Sequence, residues 1–280
     1  MRLVTITHGD GTAAGVLDGD KVAVIGGYDD VGALLADGDR GLEAARSSSG
    51  EGAHTHDFDE AMLRRPILSP GAVVCVGLNY ATHIREMGRD LPTTPTLFSK
   101  LPRALTDPFA AIPHPGISDQ LDYEGELCVV IGRPGRNIAA ADAWDHVGGL
   151  TLMNDVTVRD YQWRTPQWFA GKTWEASTPI GPVVVTPDEL GDVGRLELVT
   201  RVDGEERQRA SIGDLVFDVP HLVEDVSKIV TLQPGDLIAT GTPGGVGAAM
   251  DPKGFLAVGS VVEVEIEGIG SLRNRVEARS

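Results

Sequence analysis

Leu121-Asp122-Tyr123-Glu124-Gly125-Glu126-Leu127-Cys128-Val129-Val130-Ile131-Gly132 begins acidic and ends as an apolar, β-branched run. It reads as one strand with carboxylates at its entry. Side chains two apart on a strand project from the same face, so Glu124 and Glu126 stand side by side with only Gly125 between them. Adjacent carboxylates repel unless a cation or a shared proton relieves them. The pair reads equally well as a metal site or as a solvated acidic strand end, because perturbed pairs serve structure as well as function.

Around that stretch lie 280 residues, 41% hydrophobic and 23% charged. This is ordinary globular composition, with enough length for a large core. The length allows one large domain or two unequal ones. The formal net charge is -17 and the pI about 4.7. Such an acidic surface argues against nucleic acid or anionic membranes as partners. Small anions remain open, since a local Lys or Arg can hold one. Cys75 and Cys128 each sit inside an apolar run. Buried free thiols in a reducing compartment are expected, with a single disulfide as the lesser alternative. The stretch Met1-Arg2-Leu3-Val4-Thr5-Ile6-Thr7-His8 lacks the apolar core of a signal peptide, and no apolar run reaches membrane-spanning length. The expectation is a soluble cytoplasmic protein.

Residues 1–65 read as a small N-terminal α+β domain, with short strand patterns at 3–7 and 21–25 and weak helical patterns at 31–35 and 42–45. Residues 47–52 read as an exposed loop, followed by His54 and His56; that His-x-His spacing, without a third His or a Cys nearby, favours a solvated loop over a metal site. The Pro- and Gly-punctuated segment 64–71 marks the boundary to a second domain, 66–280.

In that second part, residues 72–76 form an apolar strand that turns into a short helix carrying His83 and Glu86. At i and i+3 they share a helical face. A carboxylate can orient an imidazole and raise its basicity, as a general base requires; taken alone, the pair reads as an ordinary surface contact. A short strand at 97–100 ends in Lys100, and prolines keep the chain irregular from there to the glutamates. Residues 139–146 read as a helix, and 148–157 as a second apolar strand leading to Asp155. Lys172 lies among Trp168, Phe169 and Trp174; it either pairs with acids or carries a lowered pKa and handles protons. Further strands are expected at 182–185, 196–202, 205–210 and 260–267, with a hairpin turn at Asp203-Gly204 and an amphipathic helix at 219–229. The glycine-rich run 241–247 lacks the Lys-Ser/Thr of a P-loop; it is a tight turn or a cradle for a carboxylate. Strands dominate without the strand–helix alternation of a doubly wound sheet, so the fold class is mixed α+β, mainly β.

Taken in order, Gly77-Leu78-Asn79-Tyr80-Ala81-Thr82-His83-Ile84-Arg85-Glu86-Met87, Asp122-Tyr123-Glu124-Gly125-Glu126-Leu127, Asn154-Asp155-Val156-Thr157-Val158-Arg159-Asp160, Gly171-Lys172 and the run from Thr231 to Gly247 resemble the fumarylacetoacetate hydrolase superfamily. The resemblance covers residues 72–270. It implies a mixed β-sandwich roll as the catalytic domain behind the small N-terminal domain, in a homodimer. It implies a Mg²⁺, Mn²⁺ or Ca²⁺ site with Glu124, Glu126 and Asp155 as ligands, an all-oxygen set suited to a hard cation. It also implies His83 and Glu86 as a dyad on a lid helix, Lys172 as an active-site lysine, and Gln162, Thr242 and Lys100 near the substrate. Trp174-Glu175 stands where many relatives carry Phe-Asp, and Ser99 where leucine is common; both are expected to reshape the pocket rim. The activity implied first is hydrolysis of a carbon–carbon bond in an acylpyruvate or related 1,3-diketo acid. Oxaloacetate decarboxylation and 2-oxo-enoate hydration or isomerisation are the alternatives on the same scaffold.

Overall fold

A computed structural model describes residues 1–48, 55–86 and 88–279. The run 121–132 lies at the middle of it. Every residue of the strand Gly125–Ile131 is buried, because both of its faces are covered. This accounts for its unbroken apolar pattern. Leu127, Val129 and Ile131 face one core with Leu198, Val264 and Ile266, while Cys128 and Val130 face a second core with Val31, Leu34 and Leu35.

The strand belongs to a mixed sheet. Its antiparallel neighbours are Val147–Asn154 on one side and Leu237–Ala239 on the other. Beyond Leu237–Ala239 come Val73–Gly77, paired in parallel, and then Thr96–Ser99. Beyond Val147–Asn154 comes Thr178–Val185, which pairs with Arg2–His8 in the register Arg2↔Val185. The N-terminal strands Gly11–Asp18, Lys21–Val24 and Thr55–Asp57 extend this edge. Residues 1–65 therefore share a sheet and a core with the rest of the chain. A second sheet, ordered Glu205–Ser211, Glu197–Val202, Val261–Ile266, Gly270–Ala278, Ile112–His114, packs across the other face. The fold is mixed α+β and mostly β. Among the described residues no helix is long and apolar enough to cross a membrane.

Several local expectations need correction. The acidic stretch is not one strand. Leu121–Asp122 pairs with Thr157–Val158, and the main strand starts only at Gly125. Side chains replace the ladder at the break: Asn154 Oδ1 accepts from the Glu124 amide at 3.0 Å and Gln208 Oε1 from the Gly125 amide at 3.1 Å. The second strand likewise ends at Asn154, one residue before Asp155. Ala140–His146 is a 3₁₀ run, with no capping side chain at Ala139. Ser47 and Ser48 end the helix Asp39–Ser48, while the rest of the expected loop, with His54, lies outside the described residues. His56 is exposed on a strand with its ring edge-on to His8, 5.7 Å between centroids. Cys75 and Cys128 are both free, and both pair in register with Ala239 from opposite sides, a whole strand apart. By contrast the 219–229 helix runs Val219–Ile229, capped by Asp218, and Asp203-Gly204 turns with φ of 53° and 83° as a tight hairpin needs.

Gly125 points away from the glutamates, toward the second sheet. A Cβ there would lie 2.2 Å from Thr200 Oγ1 and 3.1 Å from a Val264 methyl. The residue between the two carboxylates is small because the two sheets close over it. Gly125→Ala should lower stability by about 1–3 kcal/mol through overpacking, read as a lower denaturant midpoint. An unchanged midpoint would show that Thr200 and Val264 can move aside.

Candidate metal and substrate site

Three acidic side chains converge at the strand break. Gly125 pairs with Asn154 and Glu126 with Met153, and the Asp155 amide donates to the Glu124 carbonyl at 2.8 Å. That register sets Asp155, just past one strand, opposite Glu124, just before the other. One carboxylate oxygen from each of Glu124, Glu126 and Asp155 lies within 4.8 Å of the others, and all three residues are buried.

Burying like charges together is costly unless cations answer them. Lys172 Nζ donates to Glu124 Oε2 at 2.5 Å and Asp155 Oδ2 at 2.6 Å. Lys100 Nζ donates to Asp155 Oδ1 at 2.5 Å and to the Val156 carbonyl at 3.1 Å. Arg159 Nη1 sits 2.7 Å from Glu124 Oε1, and its Nε donates to Asp122 Oδ2 at 2.7 Å. Burial works against charge on Lys172, but Asp155 and Glu124 outweigh it and hold its pKa well above the ordinary lysine value. Of the two readings of this lysine, pairing with acids is the one realised. Burial also opposes ionisation of Asp155, and the charges of Lys100 and Lys172 reverse it, leaving the pKa lowered.

Glu126 is treated differently. Among the described residues no cation touches it, and it accepts from the Gly241 amide at 2.9 Å. Burial, then the charges of Asp155 and Glu124, push its pKa well above the usual carboxylate range. Among the described residues, the four carboxylates of Asp122, Glu124, Glu126 and Asp155 thus meet the three cations of Lys100, Arg159 and Lys172. The shortfall falls on Glu126. An all-oxygen set with uncompensated charge fits a hard divalent cation.

A cavity of about 350 Å³ opens beside the cluster. Its polar wall carries His83, Glu124, Arg159, Gln162, Lys172 and Thr242; Phe98, Trp163 and Trp168 supply apolar surface. Gln162 Oε1 accepts from Arg159 Nη1 at 3.0 Å. Thr242 Oγ1 donates to the Gly125 carbonyl at 2.9 Å and accepts from Gln208 Nε2 at 2.8 Å. Lys100 does not line the cavity; it lies buried behind Asp155. Ser99 and Trp174 are also off the wall: the Trp174 indole donates to the Ala170 carbonyl and packs edge-on against Tyr161. The expectation that they shape the rim therefore fails.

His83 is half-buried on the helix Ala81–Glu86, and Glu86 is exposed. No hydrogen bond joins them, although both approach Gly244: a Cβ there would lie 2.8 Å from His83 Nδ1 and 3.5 Å from Glu86 Oε2. Burial lowers the His83 pKa, partly offset by the charges of Glu86 and Glu124.

Three residues of this site escaped the sequence reading. Arg159 Nη2 is buried without a hydrogen-bond partner, in a side chain on the cavity wall. Asp122, fully buried, accepts from Arg159 Nε and from the amides of Gly247 and Ala248, so it ties the glycine-rich run to the guanidinium. Both lie inside quoted motifs, where an acid and a base flanking the ligand positions were the available signal. Gln208 bridges Gly125, Thr242 and Pro243 from the second sheet, and nothing in its strand Glu205–Ser211 marks it.

Residues 72–277 match the family model described as fumarylacetoacetate (FAA) hydrolase C-terminal, and the chain belongs to this family. It is 43% identical over 229 residues to the oxaloacetate tautomerase YisK of Bacillus subtilis (strain 168), covering 80% of this chain and 76% of that protein. Among solved structures, fumarylacetoacetate hydrolase from Exiguobacterium antarcticum superposes with a TM-score of 0.86 at 37% identity, covering 100% of both chains. Maleylpyruvate hydrolase from Sphingobium sp. SYK-6, in complex with manganese(II) and pyruvate, superposes with a TM-score of 0.82 at 28% identity, again over 100% of both chains.

Glu126→Gln should remove the unpaired charge while keeping the shape. The metal-free variant should melt no lower than wild type, yet lose the stabilisation by Mg²⁺ or Mn²⁺, which for one site at a hundredfold excess over Kd is about 2.7 kcal/mol. Thermal denaturation with and without the ion reads both effects. Full metal stabilisation in the variant would remove Glu126 from the ligand set.

Proposed function

We propose that this member of the fumarylacetoacetate hydrolase family is a divalent-metal-dependent enzyme that interconverts the enol and keto forms of oxaloacetate. The observation that carries the reading is the acidic cluster reaching the cavity wall through Glu124, beside Arg159 on the same wall, whose buried Nη2 lacks an acceptor among the described residues. A 2-oxo acid matches both halves, with carbonyl oxygen for a cation and carboxylate for the guanidinium. The name of the 43% identical relative supports oxaloacetate over the acylpyruvates expected first. Carbon–carbon bond hydrolysis becomes the second reading; the maleylpyruvate hydrolase structure keeps it in view.

In this scheme Glu124, Glu126 and Asp155 hold the divalent cation, which when bound supplies Lewis acidity toward the 2-oxo oxygen. Arg159 Nη2 holds a substrate carboxylate, and Gln162, fixed by Arg159 Nη1, braces that end. Lys172 stays an ammonium between Glu124 and Asp155 and keeps positive charge beside the oxygen where negative charge develops. Lys100 holds Asp155 in place from behind. His83 takes a proton from C3 as the C3–H bond electrons form the C2–C3 double bond and the C2=O π electrons move onto the carbonyl oxygen. The protonated His83 then gives that proton to the oxygen, yielding the enol; the reverse sequence gives the ketone. Such an exchange needs one mobile proton carrier and no attacking water. His83, unbonded to Glu86, suits that task without the orienting contact that water activation uses.

A lowered pKa keeps His83 neutral near pH 7. Protonation removes the base, so kcat/KM should rise with pH through a limb below the ordinary histidine value of about 6.5. The Glu86 charge raises the His83 pKa, so Glu86→Gln should move that limb to lower pH. His83→Ala should cost about 10²–10⁴-fold with metal affinity unchanged. The assay is decay of enol oxaloacetate with Mg²⁺ or Mn²⁺, with acylpyruvates run beside it. Cleavage of an acylpyruvate without acceleration of enol decay would restore the hydrolase reading, and release of CO₂ would point to decarboxylation.

A further inference from the structure

The helix carrying His83 is six residues long and has no acid in its first turn. Its N-terminal amides therefore need an acceptor from elsewhere. That acceptor is Asp214, 132 residues away, in the connection between the strand Glu205–Ser211 and the helix Val219–Ile229. One carboxylate oxygen accepts from the Thr82 amide at 3.0 Å and the other from Thr82 Oγ1 at 2.9 Å. Thr82 is the residue immediately before His83.

The same connection holds the turn into the helix. The Val216 amide donates to the Asn79 carbonyl at 2.8 Å. The Phe217 amide donates to Asn79 Oδ1 at 2.8 Å, and Asn79 Nδ2 donates to the carbonyls of Phe217 and Thr240 at 3.0 and 2.8 Å. Asn79 is fully buried. Tyr80 forms a bridge with Leu215. The other end of the helix is loose by comparison. The Gly88 and Arg89 amides close back on Arg85 and Ile84, and residues 90–95 make no hydrogen bond among the described residues. With one end pinned and the other closing only on itself, the pinned end decides where His83 stands over the cavity.

We propose that Asp214 is a positioning residue for His83, acting as the cap that fixes the helix Ala81–Glu86 from across the fold. The inference rests on His83 carrying the proton in the proposed reaction. Asp214 is not among the residues lining the cavity, and its hydrogen bonds to this helix run to Thr82.

The test compares Asp214→Ala, Asp214→Asn and Thr82→Val, each as full-length protein. It uses whichever 2-oxo acid the wild-type protein turns over, together with amide hydrogen exchange along the chain and Mn²⁺ titration. Asp214→Ala should lower kcat about 10- to 100-fold, the scale of a small misplacement of a reacting group. It should leave Mn²⁺ affinity unchanged and speed exchange at residues 81–86 alone. Asn keeps an acceptor for the Thr82 amide and should restore most of both, while Thr82→Val, which loses only the hydroxyl bond, should fall between. Wild-type kcat with a deprotected helix overturns the proposal, as does a loss of kcat with helix exchange unchanged. Exchange that rises throughout the chain overturns it in favour of a general structural role. The exchange readout needs no substrate, so it stands even if oxaloacetate proves not to be turned over.

Discussion

Unbalanced charge at the break between Leu121–Asp122 and Gly125–Ile131 governs the centre of this molecule. Four carboxylates and three cations are drawn into one buried cluster, and each cation is already committed: Lys172 to Glu124 and Asp155, Lys100 to Asp155, Arg159 to Asp122 and Glu124. Glu126 is left with one backbone amide. A buried carboxylate in that state either holds a proton or recruits a cation. The neighbouring cavity is lined by Glu124 of this cluster and by Arg159, whose buried Nη2 has no hydrogen-bond partner among the described residues.

The rest of the fold serves to hold that cluster still. Register between Gly125–Ile131 and Val147–Asn154 fixes Asp155 against Glu124. The second sheet closes on Gly125 and sends in Gln208, which joins the strand break to Thr242 and Pro243. Asp122 fastens the following loop through the amides of Gly247 and Ala248. These contacts come from segments far apart in the chain, so the site exists only once both sheets have packed. The side that carries His83, the proposed proton carrier, is built differently. His83 rides on one short helix hung from the connection at residues 214–217, which sets it apart from the segments that hold the charged cluster.

Family membership and reaction are separate questions at such a site. In the proposed scheme, a metal on the acidic triad with Arg159 on a substrate carboxylate would stabilise an enolate whether the step that made it was deprotonation, decarboxylation or carbon–carbon cleavage. What differs is the group that approaches the far side of the substrate. In the proposed reaction that group is His83, a half-buried imidazole with a lowered pKa and no hydrogen bond to its neighbouring carboxylate, a state suited to passing a proton.

Much of this was legible in the chain itself. The apolar strands expected at 72–76, within 121–132 and within 148–157, and the amphipathic run at 219–229, follow from local pattern, and the motif order carries the family. Glu124 and Glu126 stood out because like charges side by side need an explanation, while the ligand set with Asp155 came from the resemblance to the family. The sequence could not show where the strands stop, because side chains from Asn154 and Gln208 replace the ladder there. Nor could it show that Lys100 stands behind Asp155 rather than on the cavity wall, that Trp174 turns onto Tyr161, or that Asp214 caps a helix 132 residues away. Residue type and spacing determine which groups are available and which local conformations are cheap. Which lysine meets which carboxylate, and which amide finds its acceptor, depends on the packing of two sheets, because burial leaves each charge and each backbone donor only the partners that tertiary structure brings within reach.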